Sequence, residues 1–282
     1  MKNILLTILL MALWCVPAVS QAQEAEVVRP VTSAYTLEMG GARIIDTYLT
    51  PLRYDGFTTA FGYERSLAMK FDPERWVMQL NVAAGFDRTR NPARNATIWA
   101  TGLTFRWGMT RRFRPLPSLT VAAGGSTSAN LGVLYLSRNQ NNPAAAKASW
   151  TVNAAASVAW TTSVARIPVT LRYQPTLPVA GVFFSPEYDE LYYEIYLGNR
   201  RNLAHAAGWG NYFSMDNMLT ADVKFGATWL RLGYHNTILS TKVSNITSRM
   251  VSHSFVVGLS GEWMSLRKSS LPSAGAKIIS AY

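Results

Sequence analysis

Residues 75–87 alternate between two kinds of side chain, and this period of two constrains the chain more than any other feature. Trp76, Met78, Leu80, Val82, Ala84 and Phe86 fall on one face; Gln79, Asn81, Gly85 and Asp87 fall on the other. Successive strand residues point to opposite sides, whereas a helix would need a repeat near 3.6. Segment 149–161 repeats the pattern, with Trp150, Val152, Ala154, Ala156, Val158 and Trp160 set against Thr151, Asn153, Ser157 and Thr161. Segment 97–109 aligns Trp99, Leu103, Phe105, Trp107 and Met109, and segment 253–264 aligns Phe255, Val257, Leu259 and Trp263. The chain is predicted to be all-β.

The aromatic residues at the ends of these faces say what the apolar side meets. Trp150 and Trp160 lie ten residues apart on one face, as do Trp76 and Phe86. Ten strand residues span about 33 Å. Tilted by about 40°, they project to roughly 25 Å, the height of the apolar band between the aromatic girdles of a membrane barrel. Trp99 with Trp107, and Phe255 with Trp263, extend the set of membrane-interface aromatics. A soluble periplasmic β-sandwich remains the rival fold, although its core has no reason to put tryptophan at both ends of a strand.

Composition suits the membrane reading. Apolar residues make up 49% of the chain and charged residues only 15%, against roughly 25% charged in soluble domains. After the N-terminus no stretch reaches eighteen uninterrupted apolar residues, so helical spans are excluded. At the N-terminus, Lys2 followed by the apolar run Ile4 to Val16 and small residues reads as a cleaved secretory signal over 1–22. Cleavage would discard Cys15, the one cysteine, and leave a mature chain with neither disulfide nor thiolate site. The net charge of +11 points to outer-membrane lipid, and specifically to lipopolysaccharide phosphates, rather than to nucleic acid, which a secreted protein rarely meets.

The alternation continues in strands near 32–41, 57–68, 75–87, 97–108, 118–125, 149–161, 167–174, 191–198, 203–209, 217–226, 228–238 and 252–264. This predicts a closed antiparallel transmembrane β-barrel over 32–264, of about twelve strands, with ten also allowed because 203–209 is the weakest segment. Residues 23–31 form a short N-terminal segment, and 265–282 a periplasmic tail. Connections alternate between short and longer, as expected for periplasmic turns and outer loops. Asp72-Pro73-Glu74 and Arg114-Pro115-Leu116-Pro117 break pairing, because proline has no amide donor.

The inward faces carry charges of both signs: Glu38, Glu64, Glu194, Asp222 and Glu262 against Arg106, Arg172, Lys224 and Arg231. Inside a narrow barrel these pair to fill the lumen, or ring a water-filled path. Asp222 and Lys224 share a face, and a turn near Ala227 brings Arg231 opposite them. No metal set and no cofactor motif is present. An outer-membrane lipid hydrolase needs a histidine next to a nucleophile on one face. His205-Ala206-Ala207, His235-Asn236-Thr237 and His253-Ser254-Phe255 offer no His-x-Ser. No catalytic residue is assigned, and the hydrolase stays an alternative built on an atypical site. The leading reading is non-enzymatic: a narrow pore, a solute-binding protein or a partner in envelope assembly.

The stretch Asp46-Thr47-Tyr48-Leu49-Thr50-Pro51-Leu52-Arg53-Tyr54-Asp55-Gly56 and the later Arg231-Leu232-Gly233-Tyr234 resemble an uncharacterised barrel family, a domain of unknown function from Bacteroides-type Gram-negative bacteria. The resemblance implies an outer-membrane location. It assigns no activity and no functional residue.

Overall fold

The computed structural model describes residues 27–140, 142–186, 195–198, 202–226, 228–263 and 277–281. The expected signal segment 1–22, Glu194 and Ala227 lie outside the described residues. The chain divides into two units. In the smaller, β1 (Val27–Val28) pairs in parallel with β13 (Lys277–Ile278).

The larger unit is one antiparallel sheet. It runs through β2 (Val31–Asp46), β3 (Thr50–Ala68), β4 (Trp76–Arg90), β5 (Thr97–Leu116), β6 (Leu119–Leu136), β7 (Ala144–Val164) and β8 (Ile167–Phe184). After the short β9 (Ala204–Ala207) come β10 (Tyr212–Phe225), β11 (Thr228–Val243) and β12 (Ile246–Trp263). Each strand pairs with its neighbour, β12 returns to β2, and Val169–Thr176 of β8 pair with Asp216–Val223 of β10. That last pairing closes the ring, so the soluble sandwich does not form; beyond it β9 pairs only with β8, and Tyr212–Met215 of β10 only with β11. The barrel has ten strands with β9 as an extra one, the smaller of the two counts the sequence allowed. The strand expected at 191–198 is not seen where the chain is described: 195–196 are helical and 197–198 a turn. The weak segment near 203–209 is β9, which pairs only with Gly181–Phe184 at the end of β8.

We call the end where β2 begins and β12 finishes the lower end. Connections there are short, from 69–75 to the two residues 165–166. At the upper end the strands run on beyond the expected boundaries, and the one long connection is 185–211 around β9.

Alternation sets the two faces of every strand. Outward positions such as Leu37, Phe61, Leu103, Leu131, Trp150 and Leu259 are exposed apolar residues all round the ring. Inward positions are small or polar, as in Gly124, Ser126, Ser128 and Asn130 of β6, because a ten-strand lumen has room for little else. At the upper end the inward residues turn apolar: Ile44, Tyr54, Ile98, Leu134 and Leu136 form a buried cluster, and Phe183, Tyr212 and Val243 form a second. At the lower end Arg112 Nη1 donates to the Ser280 carbonyl at 2.7 Å, and Nη2 to the Pro73 carbonyl at 2.6 Å. Ile279 and Ala281 are buried beside it.

Candidate functional site: the charged lumen

The strand register brings inward charges from distant parts of the chain to the same levels. In the lower layer Arg172 of β8 is buried and donates from Nη1 and Nη2 to both oxygens of Glu64 on β3, at 2.6 and 2.9 Å. Arg231 of β11, equally buried, donates from Nη1 to Glu64 Oε2 at 2.8 Å. Its Nε and Nη2 grip Asp222 of β10 at 2.7 and 2.9 Å. Two cations and two anions thus form one bidentate array across the lumen. Such geometry is what buried charges require, since each ion left in a low-dielectric interior costs several kcal/mol.

A second layer lies above it. Arg106 Nη2 of β5 donates to Asp216 Oδ2 of β10 at 2.9 Å, and its Nε to Ser128 Oγ at 3.2 Å. His235 of β11 stands between two carboxylates. Nδ1 is 2.7 Å from Glu38 Oε2, and Nε2 is 3.3 Å from Asp216 Oδ1, an ion-pair contact without hydrogen-bond alignment. Near the top, Lys147 Nζ meets the fully buried Asp46 at 2.6 Å, and Ser248 Oγ donates to the same carboxylate at 2.7 Å.

Of the nine charges singled out from sequence, Glu38, Glu64, Arg106, Arg172, Asp222 and Arg231 occupy these two layers. Lys224 and Glu262 do not. Lys224 is exposed near the lower end with its ammonium over the Trp229 ring, 5.6 Å from the centroid. Glu262 is exposed at the end of β12 and accepts a hydrogen bond from Ser280 Oγ. Both are exposed below the buried array, and that explains why neither joins it. Glu194 lies outside the described residues. Asp216 and His235 complete the second layer, Asp46 and Lys147 pair above it, and all four were missed. His235 was findable, because it shares the parity of Arg231 four residues earlier.

A cavity of about 320 Å³ runs beside both layers, lined by Glu64, Arg106, Asp216, Arg231 and His235 together with Thr58, Thr104 and Gln174. Among the described residues no group of three metal-ligating side chains exists. The three histidines are dispersed. His205 Nε2 contacts the Ser185 carbonyl at 2.9 Å, and His235 faces the lumen. His253 faces outward, its Nδ1 2.5 Å from Tyr234 Oη and 3.3 Å from Asn236 Nδ2. Ser252 and Ser254 lie on the opposite face from it, as alternation requires.

The aromatic set takes the outward face. Phe86, Trp107, Trp150, Trp160 and Phe255 are exposed. Trp76 and Trp99 share that face and are half-buried against Phe71 and Phe86, with ring centroids 6.2 and 5.5 Å apart. The side chain of Trp263 lies outside the described residues.

Residues 4–270 match the model of a family described as Protein of unknown function (DUF3316). Comparison with curated sequences found no match. Among solved structures, the outer membrane protease OmpT from Escherichia coli is similar with a TM-score of 0.45 and 6% identity, over 83% of this chain and 97% of that one. The transport unit of the autotransporter AIDA-I, also from Escherichia coli, gives 0.44 and 8%, over 91% and 96%. The translocator domain of the autotransporter NalP from Neisseria meningitidis gives 0.36 and 13%, over 85% and 90%. Likeness at this level bears on neither activity nor partner.

Proposed function

The chain belongs to the DUF3316 family, and from the geometry of its lumen we propose that it is a non-conducting, non-enzymatic barrel of the outer membrane. The lower end faces the periplasm, the signal over 1–22 is cleaved, and the host is a Gram-negative bacterium of the Bacteroides type. The function is an envelope role exercised through the outer surface and the upper end, rather than passage through the lumen.

The observation that carries this reading is the array Arg172–Glu64–Arg231–Asp222, in which every charge has an opposite partner. A ring that selects ions keeps its charges open to water. Here the two guanidinium groups are buried and spent on carboxylates, and the inward side chains toward the upper end are apolar. The exposed apolar belt supports the membrane location, since soluble monomers rarely expose contiguous apolar patches beyond a few hundred Å². Planar-bilayer recording on the purified protein tests the reading: no steady conductance is expected. A persistent open channel whose ion preference changes on Asp222→Ala would overturn it in favour of a pore.

A second reading, solute binding inside the barrel, is favoured by the cavity of about 320 Å³ that Glu64 and Arg231 help to line. Soaking with small polar solutes followed by mass spectrometry under native conditions tests it.

A further inference from the structure

The outward face of β2, β3 and β4 changes character abruptly near the upper end. On β4 the outward run from Trp76 to Phe86 is uninterrupted apolar, and the next two outward residues are Arg88 and Arg90. On β3 it passes from Phe61 and Phe57 to Asp55 and Arg53; on β2, from Leu37 and Met39 to Arg43. Register puts these changes side by side: Arg43 pairs with Asp55 and Asp55 with Arg90, while Arg88 pairs with Phe57 one step lower. Arg249 of β12 pairs with Ile45, which in turn pairs with Arg53. Five arginines therefore surround one carboxylate, and no other acidic residue lies on the outward face of these four strands.

Local contacts hold the cluster in place without neutralising it. Arg43 and Arg53 each donate from Nε to Asp55, both at 2.8 Å, and all three side chains stay about half exposed. The terminal nitrogens of Arg43 and Arg53 meet no protein acceptor among the described residues. Arg88 lies over the Trp99 ring, 5.1 Å from its centroid, at the boundary where aromatic residues give way to cations. With strands about 4.8 Å apart, Arg43 and Arg90 stand within about 10 Å of each other across Asp55. Forked guanidinium donors at this spacing suit phosphate oxygens.

We propose that this patch is a docking site for a phosphorylated glycolipid of the outer leaflet, lipid A being the source of the phosphates. Charge sign, donor geometry and position agree. The patch sits directly above the apolar belt, where acyl chains end and phosphates begin. The proposal rests on the membrane reading above, because only then does this face meet lipid. Arg43 and Arg90 take the phosphate oxygens, Arg88 braces the patch from the aromatic row, and Asp55 fixes the orientation of Arg43 and Arg53.

The test reconstitutes the full chain in phosphatidylcholine vesicles doped either with bisphosphorylated lipid A or with the same lipid stripped of phosphate. Lipid retained per barrel after mild detergent extraction is read by mass spectrometry. The parent is expected to retain the phosphorylated lipid selectively, and Arg43→Gln with Arg90→Gln to weaken retention about tenfold. Arg111→Gln, an outward arginine at the lower end, leaves retention unchanged. Equal retention of the two lipids by the parent, equal losses in the two variants, or displacement by inorganic phosphate at the strength of lipid A each overturns the proposal while the membrane reading stands. Failure of the parent to insert into vesicles overturns both. A shared band shift on heating shows that the variants fold.

Discussion

Arg231 lies directly opposite Asp222 in the β10–β11 ladder, and two parallel hydrogen bonds of 2.7 and 2.9 Å join them inside the barrel. The guanidinium also reaches Glu64, 167 residues away in sequence, at 2.8 Å. A local hairpin contact and a cross-lumen contact thus meet on one side chain.

Asp222→Ala removes two of the acceptors Arg231 uses and leaves its buried charge with Glu64 alone. Loss of one partner of a buried pair costs about 3–5 kcal/mol. Adding Arg231→Ala should restore part of that, because Glu64 keeps both of its bonds from Arg172. Urea unfolding followed by the heat-dependent mobility shift measures both variants. A double variant no more stable than the single one would show that Arg231 is held by other forces.

Ala156 faces outward, between Val158 and Ala154 in the middle of β7. Arginine there should cost roughly 2–4 kcal/mol if the face meets lipid. Asn153, three residues away, faces inward, is buried, and donates to Ser128 Oγ at 2.9 Å while accepting from Thr151 Oγ1 at 2.9 Å. Arginine at 153 therefore should also destabilise, through lost hydrogen bonds and overpacking rather than through lipid. The two are separable: in detergent the Ala156→Arg penalty shrinks and the Asn153→Arg penalty persists. Equal behaviour in detergent and bilayer would show the outward face to be wrongly assigned.

The parity of Trp76–Phe86 and Trp150–Trp160, and the Asp222–Arg231 pairing, were legible because alternation is a local property and a hairpin needs only one turn. The upper half of β6 was not. Residues 126–130, Ser-Thr-Ser-Ala-Asn, read as a loop because turns and a crowded lumen favour the same small, polar residues. The barrel uses Ser126, Ser128 and Asn130 as inward strand positions. Asp216 was hidden for a related reason: a loop expected over 210–216 is in fact the start of β10. Lys147 meets Asp46 only because β7 begins at Ala144. Contacts across the lumen depend on shear and strand count, and alternation by itself specifies neither.

Gly40 and Gly41 are adjacent and should respond oppositely to alanine. A Cβ on Gly40 would meet the His253 carbonyl oxygen and the Ser254 Cα on β12, where the backbones approach too closely for any side chain. Gly41 points outward, with nothing nearer than the Gly56 carbonyl oxygen at 3.8 Å. Gly40→Ala should cost about 1–3 kcal/mol by forcing the strands apart, and Gly41→Ala should be neutral or slightly stabilising. Folding yields that fall equally for both would contradict the close β2–β12 approach.

The lipid-docking patch carries a pH prediction whose sign follows from its groups. The hydrogen bond from Arg43, with Arg53 adding its charge, holds the Asp55 carboxyl below the usual carboxylate range. A carboxylate with a lowered pKa keeps its charge until the pH falls through that lowered value, so Asp55 stays ionised from pH 5 to pH 8. Arginine does not titrate in that window either. The bound phosphate changes charge there, its second proton leaving near pH 6 by analogy with other phosphomonoesters. The outward His253 of β12, opposite Gly41 and so one step from Arg43, is an imidazole beside the patch, and His253→Gln removes it. Retention of bisphosphorylated lipid A should therefore rise from pH 5 to pH 7.5, in His253→Gln as in the parent. Retention that falls over the same interval, or a rise that disappears in His253→Gln, would assign the titration to the protein and remove phosphate as the group recognised.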